Sequence, residues 1–256
     1  MEKVKLTREN GISIISLNRP ENFNALDVEA LHQLLEKLKA VKTNEDKVVI
    51  LTGEGKAFCA GGDITMMEGM NEPSAFEDLM NTVSEIAMEL YLMPKIVITA
   101  VNGSAAGLGL SIGLNADYIV ANDQARFGML FAGIGLVPDG GGHFFLEKRL
   151  GIHQAKQFIW GLEQVAGDKA KQYGFVDVMT EGDALEAAKQ VGAKLLASPI
   201  LALIETKLIY HEKTADQLRD ILETEKASQL KMRGTKDHAE GVSAFLGKRK
   251  PNFKGE

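Results

Sequence analysis

The chain has 256 residues, which allows one large domain or a domain with a smaller appendage. Hydrophobic residues make up 45% and charged residues 25%, the balance of a soluble globular protein, which excludes a fibrous repeat or a disordered chain. A net charge of −6 speaks against a nucleic-acid surface, because phosphate binding needs clustered Lys and Arg; the one basic cluster, Lys248-Arg249-Lys250, is long enough only to meet a single anionic ligand.

Two β-rich runs at 4–8 and 12–17 flank Glu9-Asn10-Gly11 and predict a hairpin. From Asp27, a plausible N-cap, the period changes: Leu31, Leu34, Leu35, Leu38 and Val41 recur at three and four, which predicts an amphipathic helix. A buried strand follows at 48–51, ended by Gly53 and Gly55, then a loop to Asp63 and a helix over 75–92 stopped by Pro94. Next come a strand at 96–101, a glycine-spaced helix from about Gly107, and a short strand at 118–120. This alternation predicts an α/β architecture with parallel pairing. Helices are expected at 184–196, 200–210, 215–232 and 237–246, with no strand among them. A soft boundary at Ser198-Pro199 divides an α/β core, 1–198, from a helical C-terminal region, 199–256.

The single cysteine, Cys59, excludes an intrachain disulfide and fits a reducing compartment. The first residues carry no apolar stretch long enough for a signal peptide, and the β-branched run 96–101 is too short for a bilayer, so a soluble, cytoplasmic protein without membrane contact is expected.

Three glycine-rich segments could carry chemistry. Phe58-Cys59-Ala60-Gly61-Gly62-Asp63-Ile64 follows a strand, and consecutive free N–H groups in such a loop can bind an anion; taken alone, the glycines are sufficiently explained by an ordinary strand-to-helix turn. Asn102-Gly103-Ser104-Ala105-Ala106-Gly107-Leu108-Gly109 opens a helix, where N–H groups backed by the dipole form an oxyanion site; close helix packing is the competing explanation. In Val137-Pro138-Asp139-Gly140-Gly141-Gly142 an aspartate sits in a tight bend among Met129, Leu130, Phe131, Phe144 and Phe145. Apolar surroundings raise a carboxyl pKa and suit a general base, whereas a helix cap is the plainer role.

Gly109-Leu110-Ser111-Ile112-Gly113 matches a hydrolase nucleophile pattern, but Ser111 falls inside a helix rather than at the sharp turn that chemistry needs. The glycine spacing is not that of a dinucleotide fingerprint, and there is no phosphate loop. The five histidines show no metal-ligand spacing, and only His143, beside the glycine run, stands near a candidate site.

Six segments in order resemble the enoyl-CoA hydratase/isomerase (crotonase) superfamily: Leu17-Asn18-Arg19-Pro20 with Asn24-Ala25-Leu26; Phe58 to Ile64; Ala100-Val101-Asn102-Gly103 leading to Gly107; Ala125-Arg126-Phe127-Gly128; Gly135-Leu136-Val137-Pro138; and Ala244-Phe245-Leu246-Gly247-Lys248-Arg249-Lys250-Pro251-Asn252-Phe253. The resemblance implies a spiral of β-β-α turns with a helical C-terminal trimerisation region, a homotrimer or hexamer, and an acyl-CoA thioester substrate, with no cofactor beyond the CoA carried by that substrate and no metal. It implies that the thioester oxygen sits between the N–H groups of Gly62 and Leu108. Ala25, Ala60, Asp63 and Ile64 match positions lining the CoA groove, and Phe245 and Lys248 match tail residues that reach a neighbouring subunit's CoA.

Where hydratases of the superfamily keep two glutamates, this chain has Ser111 and Phe131, and Asp139 falls where several isomerases keep their acid. The stretch 127–142 is most similar to the ring-epoxide and 3-enoyl-CoA isomerases of phenylacetate-type pathways. Migration of a double bond from 3-enoyl-CoA to 2-enoyl-CoA is therefore expected. The alternatives are a hydratase using Asp139 with a water oriented by Ser111, and a non-catalytic acyl-CoA binder.

Overall fold

The computed structural model describes residues 2–69 and 73–256. Strands β1 (Val4–Glu9) and β2 (Ile12–Leu17) form the antiparallel hairpin, its two-residue turn at Asn10 and Gly11 taking positive φ as the right-handed twist of a hairpin demands. Helix α1 (Val28–Thr43) starts where Asp27 accepts from the N–H of Ala30 at 2.8 Å, and it buries Leu31, Leu34, Leu35, Leu38 and Val41.

The chain then winds in successive turns: a long strand, a short strand, a helix. The first is β3 (Val48–Gly53), β4 (Ala57–Cys59) and α2 (Pro73–Tyr91); the second is β5 (Ile96–Val101), β6 (Ser104–Ala106) and α3 (Leu108–Leu114). The third is β7 (Tyr118–Asn122), β8 (Arg126–Gly128) and α4 (Gly142–Gly161), the last kinked at Gly151. A final turn brings β9 (Val165–Ala166), α5 (Gly167–Gln172) and β10 (Val178–Thr180), followed by α6 (Ala184–Leu196), α7 (Ile200–Arg233) and α8 (Lys236–Leu246).

The long strands make one six-stranded sheet, β1-β2-β3-β5-β7-β10, parallel beyond the hairpin; the short ones make a second sheet, β4-β6-β8-β9. The larger sheet is covered on both faces, which is why β3 and β5 are continuous apolar runs. Val49, Leu51 and Val97 face α1, α2 and the smaller sheet, whereas Val48, Ile50, Ile96 and Ile98 face α6 and the start of α7.

The structure adds α4 and α5, over which the sequence reading drew no element, and differs from that reading in two further respects. Residues 57–59, 104–106, 126–128, 165–166 and 178–180 are strands that carry no periodic signal, because two or three residues are too few to show one. The helices expected at 200–210 and 215–232 are one 34-residue helix. Its polar stretch at 211–214 is no break: the Thr214 hydroxyl bonds back to the Tyr210 carbonyl at 2.9 Å and meets the Tyr91 hydroxyl at 2.6 Å. α6 and α7 meet at 102° across Ser198-Pro199, and Leu218 and Leu222 of α7 join the main core. Among the described residues no single helix is long and apolar enough to cross a membrane.

Candidate active site

The two sheets place the ends of β4 and β6 side by side, and the loops leaving them form one wall of a cavity of about 340 Å³. The first loop is braced from outside. Arg19 donates to Asp63 Oδ2 from two nitrogens at 3.0 Å and to the Ala25 carbonyl, while Asn24 donates to the carbonyls of Glu54 and Ala57 at 2.9 and 2.8 Å. On either side of Gly62, the Leu26 N–H donates to the Gly61 carbonyl at 2.8 Å and the Asp63 N–H to the Leu26 carbonyl at 2.9 Å. The N–H of Gly62 itself is left without an acceptor among the described residues.

Leu108 is the first residue of α3, so its N–H has no partner within the helix and none elsewhere among the described residues. The two loops pass at main-chain contact. Gly61 takes φ +100, and a Cβ built on it would lie 2.9 Å from the Ala106 carbonyl oxygen and 3.4 Å from the Leu108 nitrogen. Both explanations of the second glycine segment hold together, because a Cβ on Gly109 would strike Cys59 at 2.5 Å. Cys59 is a core residue whose thiol is pushed up to about 12 by burial.

Asp139 reaches the same cavity from a bend whose direction depends on Gly140 and Gly141, at φ +63 and +81. It is not a helix cap: α4 begins after Gly141, and the N–H groups of Gly141 and His143 donate to Glu225 of α7 at 2.8 and 3.0 Å. Asp139 Oδ2 accepts from Gln229 at 3.3 Å, and Gln229 also donates to the Val137 carbonyl at 2.5 Å. Oδ1 is buried with no hydrogen-bond partner among the described residues. Burial, seconded by the charge of Glu225, pushes the Asp139 carboxyl well above the usual carboxylate range.

Of the residues singled out from sequence, Ala60, Gly62, Ile64, Leu108, Phe131, Asp139 and Phe245 line this cavity. Phe245 lines it from its own chain although 58% exposed. Ala25, Asp63, Ser111 and Lys248 do not line it. Ala25 and Asp63 hold Arg19, Lys248 is exposed on the tail, and Ser111 is fully buried in α3 with its hydroxyl 4.0 Å from Met129 Sδ. Ser111 therefore neither orients a water in the cavity nor forms a nucleophile elbow. Phe144 and Phe145 also stand elsewhere, edge-on and tilted against Tyr91 at 5.5 and 6.0 Å. The apolar wall comes instead from Phe76, Leu79, Met80 and Val83 of α2 and from Leu130 and Leu136.

Glu225 and Gln229 have no motif to announce them, yet they continue the buried stripe Leu218, Leu222 at helical spacing, and polar residues in a buried stripe were the available signal. Among the described residues no three His, Cys, Asp or Glu side chains gather around a possible metal position. The site is thus a mostly apolar pocket with two main-chain donors unsatisfied among the described residues on one wall and a single protonatable carboxyl on another. Such a pocket can hold a carbonyl oxygen and move a proton at the neighbouring carbon.

Known proteins share this framework. A Bacillus subtilis (strain 168) protein with the working name enoyl-CoA hydratase/isomerase YhaR is 44% identical over 253 residues, 99% of each chain. The 1,2-epoxyphenylacetyl-CoA isomerase of Escherichia coli (strain K12) is 32% identical over 262 residues, covering both chains fully. The crystal structure of an enoyl-CoA hydratase from Mycobacterium avium subsp. paratuberculosis K-10 superposes with a TM-score of 0.89 at 28% identity, over 98% of each chain. The family profile for enoyl-CoA hydratase/isomerase matches residues 7–256, and the chain belongs to that family.

Proposed function

We propose that the protein binds an acyl-CoA thioester and moves the double bond of a 3-enoyl-CoA to the conjugated 2-position. The observation that carries the reading is that Asp139 is the one ionisable side chain among the described residues lining the cavity. Syn addition of water is served by two acids, but the two positions where hydratases of the resemblance keep them hold a sealed serine and a phenylalanine. A double-bond shift needs one carboxyl, which takes a proton from one carbon and returns it to another.

In the proposed sequence the ionised Asp139 removes a proton from the α-carbon. The C–H electron pair becomes the enolate, its charge rests on the thioester oxygen, and the N–H groups of Gly62 and Leu108 donate to that oxygen. The carboxyl then delivers the same proton to the γ-carbon as the double bond reforms between α and β. Each main-chain donor is worth about 2.7–4 kcal/mol of barrier, and the proton shuttle about 10²–10⁴-fold in rate. The near-absence of polar groups in the cavity fits a hydrocarbon acyl chain and keeps water from the enolate. Assembly as a trimer or hexamer belongs to the same proposal, and Leu201, Ile209 and Tyr210, each more than 60% exposed on α7, are apolar surface that such assembly would cover.

Incubation with 3-hexenoyl-CoA and with crotonyl-CoA, with product identification, tests the reaction. Conjugated 2-enoyl product from the first and no hydration of the second is the expected outcome. Hydration of crotonyl-CoA with 3-hexenoyl-CoA untouched would reject the isomerase in favour of a hydratase.

A further inference from the structure

Glu225 is 3% exposed, in the buried stripe of α7 that runs on from the core residues Leu218 and Leu222. Burying a carboxylate is unfavourable unless its charged form is well bonded, and a neutral side chain at the helix start would cap α4 without that penalty. Both oxygens are engaged: Oε2 accepts from the Gly141 N–H at 2.8 Å, and Oε1 accepts from the His143 N–H at 3.0 Å and lies 2.7 Å from His143 Nδ1. The Glu225 side chain thus makes three contacts at the positive end of α4, where a carboxylate is favourably placed. Glu225 is bonded to the main chain two residues beyond Asp139, and Gln229, one turn along α7, bonds to Asp139 itself.

We propose that Glu225 is a positioning residue for Asp139: it clamps the Asp139-to-His143 bend onto α7 and keeps a negative charge behind the reacting carboxyl, making Asp139 a stronger proton acceptor. This rests on the reading of Asp139 as the proton carrier. The α-hydrogen of a thioester is weakly acidic, so a carboxylate that holds its proton more firmly makes the transfer less uphill, at the expense of being protonated at low pH. The other elements packed on the bend offer little to offset the charge. α2 and α3 present Met80, Val83, Leu108 and Ser111; on α4 His143 faces Glu225; further along α7, Arg233 lies over the Phe76 ring at 4.3 Å.

The test follows exchange of the α-hydrogens of butanoyl-CoA, which has no double bond to move, in deuterated buffer as a function of pH. In Glu225→Gln the acid limb of the exchange rate is expected to move to lower pH. The variant would then exceed the parent at the acid end and fall about tenfold below it on the plateau. In His143→Ala, a change at a side chain 40% exposed, the limb is expected to move to higher pH because Glu225 loses the group that shares its charge. Thermal melting reports whether each variant folds, and an infrared titration of the protonated Asp139 carboxyl band gives the same shifts without turnover. Limbs of Glu225→Gln and His143→Ala that coincide with the parent's would overturn the proposal and leave Glu225 as scaffold only. Asp139→Asn separates the two readings: exchange lost in that variant while the Glu225→Gln limb stays in place rejects this inference alone, and exchange surviving it rejects Asp139 as the proton carrier.

Discussion

Replacing Asp139 by Asn should remove the chemistry and, in one pH range, stabilise the fold. The amide keeps the size of the carboxyl and still accepts from Gln229, so the bend and the cavity should persist. What goes is the proton shuttle, which is worth about 10²–10⁴ in rate, or about 3–5 kcal/mol of barrier. The donors of Gly62 and Leu108 are untouched, so thioester binding by calorimetry should match the parent while isomerisation of 3-hexenoyl-CoA falls by at least about a hundredfold. The folded Asp139 carboxyl titrates well above its usual value of 3.8 because it is buried and faces Glu225. Between those two values the folded state binds more protons than the unfolded one, so the contribution is full below 3.8 and is lost as pH rises through the folded value. Asp139→Asn escapes that loss. Melting curves should therefore coincide below 3.8 and diverge progressively as pH rises above it, with the variant the more stable. A variant that turns over within tenfold of the parent, or melts lower than it at alkaline pH, would refute the reasoning.

Three further outcomes follow from the same geometry. Gly61→Ala forces a left-handed φ on a side chain and sets its Cβ 2.9 Å from the Ala106 carbonyl; misaligned donors should lower kcat about 10²–10³-fold, with about 1–2 kcal/mol lost in urea denaturation. Asp63→Asn removes one of the two carboxylates paired with the nearly buried Arg19 guanidinium, Asp27 at 3.3 Å being the other, and should cost about 1–2 kcal/mol by the same measurement. Glu240, which accepts from Arg249 at 2.6 and 2.8 Å and from the Asn252 N–H, is held down to about 2 by those bonds. Its stabilising effect is present above the ordinary 4.5 and fades only as pH falls through about 2, so hydrogen exchange at Asn252 should remain protected in mild acid.

Much of the framework is written in local pattern. The hairpin, α1 with its Asp27 cap, the long parallel strands and the C-terminal helices follow from period, turn residues and β-branched runs, because each is stabilised mainly by what its own neighbours are. The glycine segments and Asp139 were legible as candidates for a further reason: a residue chosen for main-chain geometry, or a carboxylate set among apolar neighbours, violates the local rule in a visible way.

What only tertiary structure decided is everything that depends on residues distant in sequence. The short strands β4, β6, β8 and β9 exist because they pair with one another, not because two or three residues prefer that shape. Whether an aspartate before three glycines caps a helix or stands free is decided by Glu225, more than eighty residues away, taking the cap's place. Likewise the Asp63 carboxylate is engaged by Arg19, forty-four residues earlier, and the aromatic neighbours of the bend turn to Tyr91 while α2 supplies the pocket wall. Sequence proximity specifies what a side chain can do; burial and charge, which set whether a carboxyl keeps its proton, are properties of the space the whole chain encloses.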